Sequence, residues 1–475
     1  MMKSKLFILL FITSLICQAQ TICNAGFAAG YPCHNIDLFA HLSIAQLGGD
    51  SDTKGNDIWG WTDPLNNKEY ALVGLTSHTA FVDITNPTNP IYLGKLPTQT
   101  TSSIWRDIKV YNNYAFIVSE AAGHGMQVFD LTRLRNVTTP IIFTNDAHYA
   151  DFGNAHNIAI NEATGYAYAI GTSTFNGGPH FINIQNPLMP IAAGGYGDED
   201  YTHDAQIINY TGVDATHVGK EIFFGANEDK VVILDVTNKT NPILLSVFNY
   251  DNTGYSHQCW LTEDQKYLIL GDELDEIDFG FNTKNIIINV SDLDNPSLKW
   301  DYFGETTAID HNGYTKGNDY YLANYRAGMR IMDITNIDAE NMNEIAFFDT
   351  FPSSDSASFN GAWSVYPYFT SQSILISDIE SGLFVVKKNA ALSNNSFSLN
   401  ESKFDIYPNP LKNTLFIKSE NDLINTVSIL SVEGRKVYEA KGSLLNNQQI
   451  DVSGLEKGIY FILINESNIT KVIKE

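Results

Sequence analysis

The chain has 475 residues, room for several domains or one large repeat architecture, and its 44% apolar against 17% charged composition belongs to packed proteins, not disordered ones. With 29 Lys and Arg against 54 Asp and Glu, the formal charge of −25 excludes a generic attraction to nucleic acid or anionic lipid, since both require a basic face. The first 20 residues carry Lys3 and Lys5 and the last 75 nearly balance, so the acidity sits in the body between them.

The N-terminus reads as an export signal over residues 1–20: Lys3 and Lys5, an apolar run from Leu6 to Cys17, then Gln18-Ala19-Gln20. That run is too short to span a bilayer, and no other stretch is apolar enough to do so. A mature protein outside the cytoplasm keeps disulfides. Cys23 and Cys33, in the segment CNAGFAAGYPC, are expected to pair and leave Cys259 free and buried.

From residue 21 to 388 the chain repeats. A short apolar strand ending in Asp or Asn and a hydroxyl or amide recurs as FVDIT (Asp83), VFDLT (Asp130), FINIQ (Asn183), ILDVT (Asp235), IINVS (Asn289) and IMDIT (Asp333), with a degenerate FVVKK at Val386. A second marker opens each unit: Trp59, Trp105, His156, His203, His257, His311 and Trp363. Both markers step by 44–54 residues and give seven units. Within a unit, apolar segments such as YALVGLT and YLILGDE alternate with turn signals, including Asn86-Pro87, Asn186-Pro187, Asn241-Pro242 and Asn295-Pro296. Four short antiparallel strands per period predict an all-β fold, a seven-bladed β-propeller. The last unit lacks a fourth strand, and the segment from Asn35 to Ala45 is expected to supply it and hide an open edge.

Residues 389–402 turn to Ser and Asn and read as a linker. Residues 403–475 alternate again and predict a small Ig-like β-sandwich.

Antiparallel meandering places the opening marker and the end of the second strand on one face of a propeller. That predicts a face carrying Trp59, Trp105, Glu120, Glu228, Arg326 and Trp363 as a binding surface, with His156, His203, His257 and His311 at one phase in four consecutive units. Imidazoles converging on an axis can hold a transition metal. Equally, each can hydrogen-bond the Asp of its own blade, as at Asp83, Asp130, Asp235 or Asp333. The run GDELDEID, with Asp272 and Glu273, concentrates the oxygen ligands calcium prefers, or is a solvated acidic turn. In GDSDTKGND the twelfth position from Asp50 is Trp61, not the Glu of a calcium loop. GxSxG, HExxH, GxxxxGK[ST] and CxxC are absent.

Two resemblances follow from these residues. IYPNP (Ile406 to Pro410), VSILSVEGRKVYE with its Gly434 turn, and LEKGIYFI (Leu455 to Ile462) resemble the type IX secretion sorting domain of Bacteroidota. That implies contact with the type IX machinery and a product released or attached to the cell surface. CNAGFAAGYPCHNIDL, IWGWTDP, KEYALVGL, YSHQCWLTEDQKYLILGDELDE and NYRAGMRIMDI resemble the choice-of-anchor B family of LVIVD-type repeat propellers. That family implies an exported propeller and supplies no catalytic residues. The sequence therefore reads as a secreted, non-enzymatic module that binds an extracellular protein or glycan. Its second reading is a metal-dependent extracellular enzyme using the histidines.

Overall fold

The computed structural model describes residues 20–389, 404–419, 424, 426–431, 435–441, 449–465 and 468–475. Nearly all of the expected signal segment and linker, and the Gly434 turn, lie outside the described residues. The chain falls into two compact units, Met1–Ala390 and Ala391–Glu475. No helix of the described residues is long and apolar enough to cross a membrane.

The first unit is built from seven sheets, antiparallel except where Ile141–Ile142 adds in parallel to the outer strand of the first. The first of them runs Gly55–Thr62, Glu69–Leu75, His78–Asp83 and Ile91–Pro97, and the others repeat that meander. Their opening strands are Gly55–Thr62, Arg106–Tyr111, Asn157–Asn161, Asp204–Asn209, Ser256–Leu261, Gly313–Lys316 and Ala362–Tyr366. Each lies against the next, and the last lies against the first, so the sheets stand around a channel as a β-propeller.

The recurring Asp/Asn marker has a local cause. The side-chain oxygen of Asp83, Asp130, Asn183, Asp235, Asn289 or Asp333 accepts from the backbone N–H two residues on, at 2.8–3.0 Å in all six sheets. This Asx turn stops the third strand and aims the chain back toward the fourth. The residues therefore make turns and are not the partners of the histidines.

The second and third strands are buried on both faces, which is why they read as continuous apolar runs. Leu72, Phe81, Ile108, Ile117 and Phe129 form the core between the first two sheets, and Phe224, Ile233, Leu268 and Leu270 that between the fourth and fifth. Each such side chain contributes about 1.5–3 kcal/mol by leaving water.

At the seam, Ile36–Leu42 pairs antiparallel with Gly382–Lys388 and becomes the outer strand of the last sheet. The N-terminal segment also does something the sequence did not announce. Tyr31–His34 pairs with Asn343–Phe348, and Phe27–Ala28 adds to it, so the sixth sheet has six strands. The Cys23–Cys33 disulfide, with Cα atoms 6.0 Å apart, closes this hairpin; Cys259 is free and buried.

The second unit contains a three-stranded sheet (Phe404–Tyr407, Thr414–Ser419, Gln449–Asp451) and a four-stranded one (Lys436–Lys441, Thr426–Ser431, Gly458–Ile464, Asn468–Lys474). Leu415, Ile417, Val427, Ile429, Ile462 and Ile464 fill its core.

Candidate functional site

The strand registers align the seven opening strands on the apolar residue that faces the core: Ile58, Ile108, Ile158, Ala205, Cys259, Gly313 and Val365. Two residues earlier stand Asn56, Arg106, His156, His203, His257, His311 and Trp363, and one residue earlier Asp57, Asp107, Asn157, Asp204, Gln258, Asn312 and Ser364. The four histidines thus share a position, as their spacing predicted. Trp59 does not belong to it. It lies three residues deeper along its strand and emerges at the other mouth of the channel, so the expected binding face is split. In the first two opening strands Asn56 and Arg106, not Trp59 and Trp105, occupy the position of the histidines.

The four imidazoles and Trp363 stack edge over edge around the mouth, with successive ring centroids 4.1, 4.2, 4.3 and 5.0 Å apart. Their hydrogen bonds run between sheets and not to the Asp of their own. His203 Nδ1 lies 2.9 Å from the carbonyl of His257, and His311 Nδ1 bonds the carbonyl of Trp363. A carbonyl only accepts, so in both rings Nδ1 carries the proton and Nε2 presents a lone pair. His156 Nδ1 instead meets Glu120 Oε1 at 2.6 Å. His257 Nδ1 is buried without a partner. Burial, reinforced by neighbouring imidazoles, holds His203 and His257 well below the ordinary histidine range, and burial carries His311 down to about 3. These three rings are neutral at physiological pH.

Glu273 closes over two of them. Its Oε1 lies 3.7 Å from His257 Nε2, 3.6 Å from His311 Nε2 and 2.7 Å from the Tyr325 hydroxyl, which donates to it. Burial raises the Glu273 carboxyl to about 7. Asp272, paired with it in the sequence expectation, is turned away: it accepts from the Tyr250 hydroxyl and from the N–H groups of Gly254 and Tyr255 at 2.6–2.9 Å. The rest of the GDELDEID run divides, with Asp278 exposed to solvent. Asp275 and Glu276 are buried in the short helix Asp275–Phe279, where Lys284 Nζ stands 3.3 Å from Asp275. In the GDSDTKGND segment, Asp50 takes the Thr53 hydroxyl at 2.7 Å while Asp57 goes to the channel. Among the described residues, the groups spaced to hold an ion are His257–Glu273–His311 and Asp214–His217–Asp294.

The remaining members of the expected face take separate tasks. Trp105 is 45% exposed and Trp363 half-buried, both beside the histidines. Arg326 binds Asn360 and Ser356, and Glu228 accepts from the Tyr255 hydroxyl at 3.3 Å.

Below the histidines lies a polar layer that includes the residues following them in sequence, Asn157, Asp204, Gln258 and Asn312, and several of its side chains bond to neighbouring strands. Asp57 accepts from Ile108 N–H at 3.1 Å, Asp107 from Ile158 N–H at 2.7 Å, and Gln258 from Gly313 N–H at 2.9 Å. Each opening strand is an edge of its sheet, and in these three a side chain from another sheet satisfies the N–H. Lys109 Nζ sits 2.7 Å from Asp107 and 3.6 Å from Asp57. Burial opposes its charge, yet Asp107, Asp57 and Asp204 hold its pKa above the ordinary lysine value. Burial pushes Asp57 well up and Asp204 to about 7. The constant step from Asp57 to Asp107 to Asn157, ahead of an Ile each time, was the available signal.

At the opposite mouth the channel widens into a cavity of about 450 Å³, walled by Trp59, Trp260, Tyr366 and Tyr368, with Gln206, Thr262 and Glu263 at its edge and Lys109 at its floor. Trp59 packs against Tyr366 and caps Lys109, whose Nζ is 4.6 Å from the ring. Aromatic walls with a few convergent polar groups suit a small organic ligand.

No curated protein matches the chain. Among solved structures, 86% of the chain aligns with 58% of PorZ, a surface component of the type IX secretion system of Porphyromonas gingivalis, at 11% identity and TM-score 0.45, so the chain spans little more than half the length of that protein. The β-propeller domain of Cps50 (Swd1) from Myceliophteria thermophila aligns over 71% of this chain and 98% of its own at 10% identity and TM-score 0.46. A protein from Lactobacillus plantarum aligns over 81% and 96% at 11% identity and TM-score 0.44. Residues 405–475 match the family described as "Secretion system C-terminal sorting domain". The chain is therefore a β-propeller carrying a type IX secretion sorting domain, directed to the cell surface or the medium.

Proposed function

We propose that this is an exported seven-bladed propeller of the choice-of-anchor B type that acts as a non-enzymatic extracellular binding module, and that its ligand is a glycan received at the aromatic mouth. The observation that carries this reading is the 450 Å³ cavity walled by Trp59, Trp260, Tyr366 and Tyr368. Indole and phenol faces stack on the apolar faces of sugar rings, while Gln206, Thr262 and Glu263 offer hydrogen bonds to hydroxyls. The sequence resemblance of residues 22–388 to that family supports the exported, non-catalytic character.

The test is a glycan array probed with the mature chain, followed by calorimetry on each hit. Trp260→Ala is expected to weaken binding at least tenfold, while His203→Ala, at the far mouth, leaves it unchanged. Absence of any hit, or a hit indifferent to both Trp59→Ala and Trp260→Ala, overturns the reading.

A further inference from the structure

We infer that His257, His311 and Glu273 form a three-ligand site for a transition-metal ion of the zinc class, separate from the aromatic cavity and independent of its ligand. Three observations carry it. The first is spacing. Ligand atoms about 2.1 Å from a tetrahedral ion stand ~3.4 Å from one another. Glu273 Oε1 is 3.7 Å from His257 Nε2 and 3.6 Å from His311 Nε2, and these ligand atoms all fall within 4.8 Å of one another. A shift of a few tenths of an ångström brings the carboxylate to this spacing from each imidazole. Those separations are also too long for hydrogen bonds, so the apposition of carboxylate and imidazoles is not explained by direct bonding.

The second is orientation. His311 Nδ1–H donates to the Trp363 carbonyl, which leaves the Nε2 lone pair toward Glu273. The Tyr325 hydroxyl donates to Glu273 and fixes its carboxylate. Such outer partners are what hold metal ligands in place. His257 Nδ1 has no partner, so nothing but the occupant beyond Nε2 sets its tautomer.

The third is the choice of donors. Two buried imidazoles and one partly buried carboxylate suit zinc and its neighbours, not calcium or magnesium, which take oxygen. Three protein ligands leave a fourth coordination position for water or a ligand. The assignment also separates the four histidines that share a sequence position. His156 and His203 lie outside the group of atoms spaced to share one ion, so the site is assigned without them.

The experiment uses the full mature chain, purified without a histidine tag, stripped with chelator and titrated with zinc chloride by calorimetry. A second channel is the absorption of the cobalt(II)-loaded protein, whose visible bands report tetrahedral coordination. One equivalent of zinc is expected, weakened at least tenfold in His257→Ala, His311→Ala and Glu273→Gln, with His156→Ala unchanged. Glu273→Gln keeps size and can still accept from Tyr325, so a fold intact by circular dichroism with altered cobalt bands assigns the loss to coordination. Failure of the stripped wild type to take up zinc overturns the site, as does a loss in His156→Ala equal to that in Glu273→Gln. Glycan binding through Trp260 is expected to persist in all four variants, so the failure of either proposal is distinguishable from failure of the other.

Discussion

Among single residues, the buried carboxyls of the channel have the clearest thermodynamic consequence. Burial raises Asp204 to about 7 against Lys109, so between the unfolded value near 4 and pH 7 the folded state holds a proton that the unfolded state releases. The raised carboxyl imposes its full stability cost above pH 7, and that cost falls away as pH drops from the folded pKa of about 7 toward the unfolded value near 4. Asp204→Asn is therefore expected to raise Tm at pH 8 by several degrees and to flatten the gain between pH 8 and pH 5, as scanning calorimetry would read. An unchanged slope would count against this. Lys109 works in the opposite sense. Lys109→Met leaves Asp57 and Asp107 without their cation, and a loss of about 3–5 kcal/mol is expected in denaturant melts.

For single elements, the seam is where the ring opens or holds. Gly55 donates to the Ile379 carbonyl at 2.9 Å, and a Cβ there would stand 2.4 Å from the Asp378 carbonyl oxygen. Gly55→Ala has to push first and last sheets apart, at an expected cost of about 1–3 kcal/mol in urea unfolding. The hairpin closed by Cys23–Cys33 braces the adjoining sheet. The double substitution Cys23→Ser/Cys33→Ser is expected to lower stability by about 2–4 kcal/mol, with the reduced wild type behaving alike. If reduction leaves Tm unmoved, the hairpin is an ornament on the sixth sheet.

For the whole molecule, the two units divide labour: residues 405–475 match the export domain, and both sites proposed above lie on the propeller. Removal of residues 405–475 is expected to leave the propeller folded, with its own core, but retained in the periplasm. Fractionation of the producing cell with an antibody to the propeller checks this, and undiminished protein in the medium would contradict it.

Much of this architecture was legible in the sequence because its causes are local. The Asx turns at Asp83, Asp130, Asn183, Asp235, Asn289 and Asp333 end the third strand in six of the seven sheets, so their spacing gives the period of the repeat. The export domain showed itself in contiguous motifs. The shared phase of His156, His203, His257 and His311 was legible too, since one residue of each opening strand reaches the mouth. What escaped depended on distance between strands. Trp59 and Trp105 look alike in a row of letters, and only the pairing of Ile58 with Val73 and Ile108 with Ile117 shows that their indoles belong to different layers. The grouping of His257 and His311 with Glu273, and not with the neighbouring Asp272, was decided by side-chain direction at a strand end. The sequence determined the repeat, the strand pattern and the destination, because turns and motifs act within a few residues. The tertiary structure decided which repeated residues meet, because contacts between sheets depend on register and rotamer, which no local signal encodes.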